Sequence, residues 1–167
     1  MITKKRVHTK IGDVFSVNID ERNKKYFQLI AFDLTQLNSD VIRGFKALYP
    51  INANLELSEI TQGEVAFYAH CVTKFGVKMN LWEKAGNIIE VGKIEHILFR
   101  DSGDYGNPQI QISQDWWVWR INDKGFTKIG KLEGENREAE IGIIVNPYDI
   151  VDRIKTGKYN FVYPCFE

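Results

Sequence analysis

Gly12-Asp13-Val14-Phe15-Ser16-Val17-Asn18-Ile19, then Asp20-Glu21-Arg22-Asn23-Lys24, then Tyr26-Phe27-Gln28-Leu29-Ile30-Ala31-Phe32, is the stretch that decides the fold class. Apolar and polar residues alternate with period two in the first segment, which is the signature of a strand with one buried face. The middle segment is a run of polar turn formers, and the third is rich in aromatic and aliphatic residues. Together they predict a β-hairpin. Period-two alternation, not helical spacing, dominates the first two thirds of the chain, so the hairpin is read as the seed of an antiparallel sheet.

Working outward, residues 40–49 read as a further strand that stops at Pro50, since proline cannot donate to a central ladder. Ser58-Glu59-Ile60 opens one helical turn. Val65-Ala66-Phe67-Tyr68-Ala69-His70-Cys71-Val72 is apolar almost throughout, as a strand covered on both faces would be. Trp82 to Asn87 reads as a turn, Lys93 to Arg100 as another strand, and Asp101 to Pro108 as a loop. Trp116-Trp117-Val118-Trp119-Arg120-Ile121 is a strand that ends in the turn Asn122-Asp123-Lys124-Gly125. The tail changes character. Asn146 is placed to cap a helix, Pro147 fits its first position, and Ile150, Val151 and Ile154 recur at helical spacing before Gly157. Tyr159 to Tyr163 would return as a terminal strand.

The chain has 167 residues, 44% of them hydrophobic, which is enough to bury ~70% of the unfolded surface in one core. No repeat, low-complexity tract or linker interrupts it, so residues 1–167 read as a single domain. Cys71 and Cys165 lie far apart and flank no ligand spacing; two largely buried free thiols are expected. The basic start, Lys4-Lys5-Arg6, precedes no apolar core of signal-peptide length, and no apolar run approaches the ~20 residues of a membrane helix. A cytoplasmic protein with no membrane partner is the expectation. Basic and acidic residues balance at 22 each, which gives no long-range bias toward nucleic acid.

His8, His70 and His96 are scattered and form no metal-ligand spacing, so no metal and no cofactor are expected. Cys71 adjoins His70, but neighbours on a strand point to opposite faces, which rules out a thiol–imidazole pair. The glycines at 125, 130 and 134 form no phosphate-cradling loop. No catalytic residue is assigned. Two features remain as candidates for binding. In the tryptophan strand, Trp117 and Trp119 share one face while Trp116 and Val118 share the other; either Trp116 packs inward or it is an exposed anchor. The acidic loop, with Glu133, Glu135, Glu138 and Glu140, flanked at a distance by Asp101 and Asp104, is either a solvated surface or the complement of a basic protein cleft.

Lys10-Ile11-Gly12-Asp13-Val14-Phe15-Ser16-Val17 followed by Lys25-Tyr26-Phe27-Gln28-Leu29-Ile30 resembles the opening of the immunity protein 26 family of bacterial polymorphic-toxin systems. Trp82-Glu83-Lys84 before Val91-Gly92, and Pro147 to Ile154 leading to Gly157, look like later blocks of that family, so the similarity spans most of the chain. The resemblance implies an immunity protein that binds and neutralises a cognate protein toxin without turnover. A GDVF start is also similar to the MazF-type toxin barrel, whose members are ribonucleases with an SH3-like sheet. This chain departs from that group in its length, its tryptophan cluster and its lack of a downstream basic strand. The expected fold is therefore α+β, mainly β: a twisted, partly closed antiparallel sheet with SH3-like barrel elements and one or two short helices, the clearest near residues 147–155. A nucleic-acid-binding or ribonuclease-like barrel is the alternative reading, and a small-ligand barrel with an enclosed apolar pocket is a third.

Overall fold

The structure is a computed structural model that describes residues 6–167; Lys4 and Lys5 of the basic start lie outside them. The hairpin forms as the sequence predicts. β1 (Asp13–Asn18) and β2 (Asn23–Asp33) pair antiparallel with Phe15 opposite Phe27, which stacks the two rings at 5.1 Å. Gly12 enters β1 at φ 96, a left-handed conformation that glycine adopts without strain, and a Cβ there would meet the Ile88 carbonyl at 2.7 Å.

β3 (Ser39–Phe45) pairs with β2, and β4 (Tyr49–Pro50) pairs with the start of β2. Pro50 thus sits within a strand instead of ending one. The strand is two residues long at the margin of the sheet, where a missing amide costs no ladder bond. After α1 (Leu57–Thr61), β5 (Val65–Cys71) pairs with β3. α2 (Thr73–Lys78) leads into β6 (Glu83–Asn87), which pairs with β1. The segment expected to be a turn is therefore a strand. Its composition, Glu-Lys-Ala-Gly-Asn, is poor in strand formers, and it is held extended by long-range pairing with β1 that local propensity does not report.

A second sheet contains β7 (Leu98–Ser102), β8 (Trp116–Arg120), β9 (Thr127–Gly130) and β10 (Glu140–Ile141), in the order β10-β7-β8-β9. β7 begins five residues later than the alternation suggests. β10 is parallel to β7, so the chain is not wholly antiparallel. The six-stranded sheet runs β5-β3-β2-β1-β6, with β4 on β2. Neither sheet closes on itself, so the partly closed sheet with barrel elements is replaced by two open sheets. They are stitched where the chain leaves β10: Val145 N donates to the His70 carbonyl at 2.8 Å, and Ile144 bridges His70 in parallel.

α3 (Pro147–Thr156) carries the signals read for it: Asn146 accepts from the Tyr148 amide, and Gly157 ends the helix at φ 79. Ile150 and Ile154 bury against Phe15, Phe27, Leu29 and Ile42 on one face of the larger sheet. On its other face Ile30, Ala31 and Val41 meet Phe99 and Trp119 of the smaller sheet. Residues 159–163 do not form the terminal strand; the segment is tied to the body at Cys165, which bridges Ile112. Cys71 is buried as expected, but Cys165 is exposed. No helix among the described residues is long and apolar enough to cross a membrane.

Trp82 closes the helix-covered core. Its Nε1 donates to the Thr73 carbonyl at 2.9 Å, and its ring lies where a Cβ on Gly76 would come within 1.9 Å. Gly76→Ala is expected to destabilise the fold by about 1–3 kcal/mol through overpacking, although alanine favours a helix. Urea denaturation would show it, and an unchanged midpoint would mean that the ring has room to move.

Candidate functional site

The acidic loop is built on two buried anchors. Leu132 packs under Trp116 and Val118, and Ala139 is buried with its carbonyl accepting from Arg100 Nη1. Between them residues Gly134–Glu138 wind into a short 3-10 turn, which Gly134 enters at φ 56. The loop is thus shaped by its ends. Glu140, at the start of β10, accepts from the Tyr68 amide at 3.3 Å and reaches across to β5.

This arrangement brings Glu135, Glu138 and Glu140 to one cleft of about 330 Å³, lined also by Tyr68, His96, Asn136 and Arg120. Tyr68 and His96 meet edge to face at 6.1 Å. Burial pushes the Glu140 carboxyl above its usual value, against the pull of Arg153, the Tyr68 amide and Arg100. Burial likewise raises the Tyr68 phenol. The cleft therefore holds an acceptor-rich rim of exposed Glu135 and Glu138, a deeper carboxyl and a phenol. It can bind a cationic group. Glu133 stands apart from the cleft, exposed beside Lys131 at 3.3 Å.

The other residues expected to bind are placed differently. Trp116 is 0% exposed; its Nε1 donates to the Ser113 carbonyl at 2.9 Å, and its ring lies 6.1 Å from Tyr163 and 6.4 Å from Phe166. The exposed-anchor reading of Trp116 is thereby corrected: the smaller sheet has its own satellite core, which the C-terminal segment covers and Trp116 fills. Asp101 accepts from Tyr163 Oη at 2.9 Å and from the Ser102 amide, and burial raises its carboxyl. Asp104 accepts from Ser113 Oγ at 2.6 Å, while Ser113 Oγ and Ser102 Oγ share a further bond. Both aspartates brace the loop after β7. Asp104 lines a different, mainly apolar groove of about 560 Å³ with Ile110, Val162 and Pro164.

A buried polar cluster escaped the sequence reading. Asp33, at the end of β2, receives His70 Nε2 at 2.8 Å and Trp119 Nε1 at 3.0 Å on Oδ2, and the amides of Thr35 at 3.0 Å and Asn122 at 2.9 Å on Oδ1. Burial alone would raise this carboxyl, but the bonds from His70, the Asn122 amide and Trp119 outweigh it and hold it at about 2. The His70 and Asp33 side chains are both 0% exposed, and the imidazole packs 4.2 Å from the Phe99 ring. A general base must reach a substrate, and this one is sealed, so the pair is structural. Cys71 joins the helix-covered core on the other face, and burial pushes its thiol well up. The signal in the sequence was an Asp and a His at the ends of two apolar runs; their pairing across 37 positions was not visible in it.

Among the described residues no group of three or more His, Cys, Asp or Glu is placed to hold a metal ion. No family model, curated protein or solved structure matches the chain.

Proposed function

We propose that this chain is a cytoplasmic immunity protein that binds a cognate protein toxin and neutralises it without catalysis, through the cleft of Glu135, Glu138 and Glu140. The observation that carries this reading is the convergence of these three glutamates around Tyr68 and His96 on a rigid platform of two sheets. A basic segment of a partner protein would find there two exposed carboxylates for steering and a deeper one for a desolvated contact. The resemblance of the strands around Gly12-Asp13-Val14-Phe15 to immunity proteins supplies the class of partner. The same charge repels phosphates, which weighs against the nucleic-acid reading.

The test takes any toxin domain encoded beside the gene and titrates the purified chain with it. Glu135→Lys with Glu138→Lys reverses the exposed rim and leaves Glu140 in place. It is expected to weaken binding at least ~30-fold, mostly through slower association, and to flatten the dependence on salt. Unchanged affinity of the doubly reversed variant would overturn the surface, and RNA bound more tightly than the toxin domain would overturn the class.

A further inference from the structure

Tyr159 to Tyr163 is a run of strand-forming residues that pairs with nothing in its own chain. Among the described residues, no amide or carbonyl from Tyr159 to Pro164 bonds to other main chain. The segment is nevertheless fixed in place. It leaves α3 at the Gly157 cap, Tyr163 Oη donates to Asp101 at 2.9 Å, and Cys165 exchanges bonds of 2.8 Å with the Gln111 carbonyl and the Ser113 amide. Free main-chain donors and acceptors held in this way are a template for another strand.

Beside the segment the pairing opens. Ile112 bridges Cys165 in parallel, but the chain before it turns away at Asn107, whose carbonyl accepts from the Ile110 amide at 3.2 Å. The gap is the groove of about 560 Å³, with Pro108 and Ile110 on the loop side and Val162 and Pro164 on the other. Val162 is 84% exposed. Ile112 is 54% exposed, and Tyr105, whose ring lies 5.3 Å from that of Tyr163, is 43% exposed. Asp104 is the one charged residue that lines the groove, and Ser113 Oγ already donates to it.

These features select the occupant. An apolar trough of this kind offers nothing to a charged ligand, and free main-chain groups along one wall match an extended peptide. Val162 belongs to the wall of the same groove, so one patch carries both the strand and the slot that receives it. That self-complementarity is what a two-fold contact between identical chains requires. With 22 basic and 22 acidic residues the chain has no net charge, so two copies meet without long-range repulsion. We propose that this face joins two copies of the chain about a two-fold axis. Each copy lays residues 161–163 in the groove of the other, and the two segments pair antiparallel. The contact is separate from the acidic cleft, and its test needs no toxin domain.

The experiment is sedimentation equilibrium of the full chain under reducing conditions, from ~1 to ~300 µM. A monomer–dimer equilibrium with a Kd of ~10–100 µM is expected, at the weak end because the contact is small. Val162→Asp is expected to weaken the dimer at least ~10-fold by placing a charge in the apolar contact. Because Val162 is so exposed, the melting temperature of that variant at ~1 µM, where the chain is monomeric, is expected to be unchanged. Leu37, 83% exposed on the turn before β3, serves as the control: Leu37→Asp is expected to leave the dimer intact. Hydrogen exchange reads the pairing itself, and at the highest concentration one or more amides of residues 161–163 are expected to exchange at least ~2-fold more slowly than in dilute solution. A chain that stays monomeric to ~300 µM, a dimer unmoved by Val162→Asp, a dimer lost in Leu37→Asp, or exchange at residues 161–163 that ignores concentration would each overturn the proposal.

Discussion

Trp116→Ala is expected to cost about 3–5 kcal/mol of folding stability, the range for emptying a large aromatic site in a packed core. The side chain is 0% exposed, so the whole indole volume would become cavity. Three further losses add to the effect. The Ser113 carbonyl would lose the indole N–H, Leu132 would lose the ring that covers it, and Arg100 would lose one of its two flanking aromatic faces. The damage should concentrate in the smaller sheet, because Trp116, Val118 and Leu132 form a cluster separate from the one under α3. Hydrogen exchange should therefore rise first in β8 and in the acidic loop that Leu132 anchors. Urea denaturation gives the total. A variant of unchanged stability that had lost partner binding would restore Trp116 as a surface anchor.

Sequence pattern carried the parts of this fold that rest on local physics. The β1–β2 hairpin follows from two alternating runs around a polar turn, and α3 from Asn146, Pro147 and Gly157, each of which solves a problem at a helix end. Where pairing is non-local the pattern failed. Glu83 to Asn87 has the composition of a turn and becomes a strand because β1 offers it an edge; Tyr159 to Tyr163 has the composition of a strand and finds no partner to pair with. The candidate site divides along the same line. Glu135, Glu138 and Glu140 lie within six positions and share a loop, so their convergence was legible. Trp116 was not, since alternation tells which residues share a face but not whether that face is covered by the chain's last few residues. Tyr68 and His96 joined the cleft from other strands, and nothing in the sequence tied them to the loop.

Asp33→Asn should be the other severe substitution, at about 3–5 kcal/mol, since it leaves buried donors facing a group that cannot accept from them, at about 1–3 kcal/mol for each. Four donors converge on this carboxylate, two on each oxygen, which uses the full accepting capacity of the group. Asparagine has the same shape but one accepting oxygen, so its amide N–H groups would face either the His70 and Trp119 donors or the Thr35 and Asn122 amides. Neither rotation satisfies the site. The effect should also depend on pH, with a sign fixed by the depressed carboxyl. The folded value of about 2 lies below the unfolded value of about 3.9, so the folded state binds the proton less readily. The stabilisation is fully present above pH ~4 and is lost as pH falls from about 4 to about 2. Asp101 and Glu140 work in the opposite sense, because burial raises their carboxyls, and wild-type acid stability alone would mix these contributions. The difference between wild type and Asp33→Asn cancels the groups that do not touch Asp33, Asp101 and Glu140 among them. Urea denaturation of both proteins from pH ~4 down to pH ~2.5 should show a gap that narrows as the pH falls. A gap that stayed constant to pH ~2.5 would show that the four hydrogen bonds act without the charge, and that the ionised form of Asp33 is not what holds the two sheets and the Asn122 turn together.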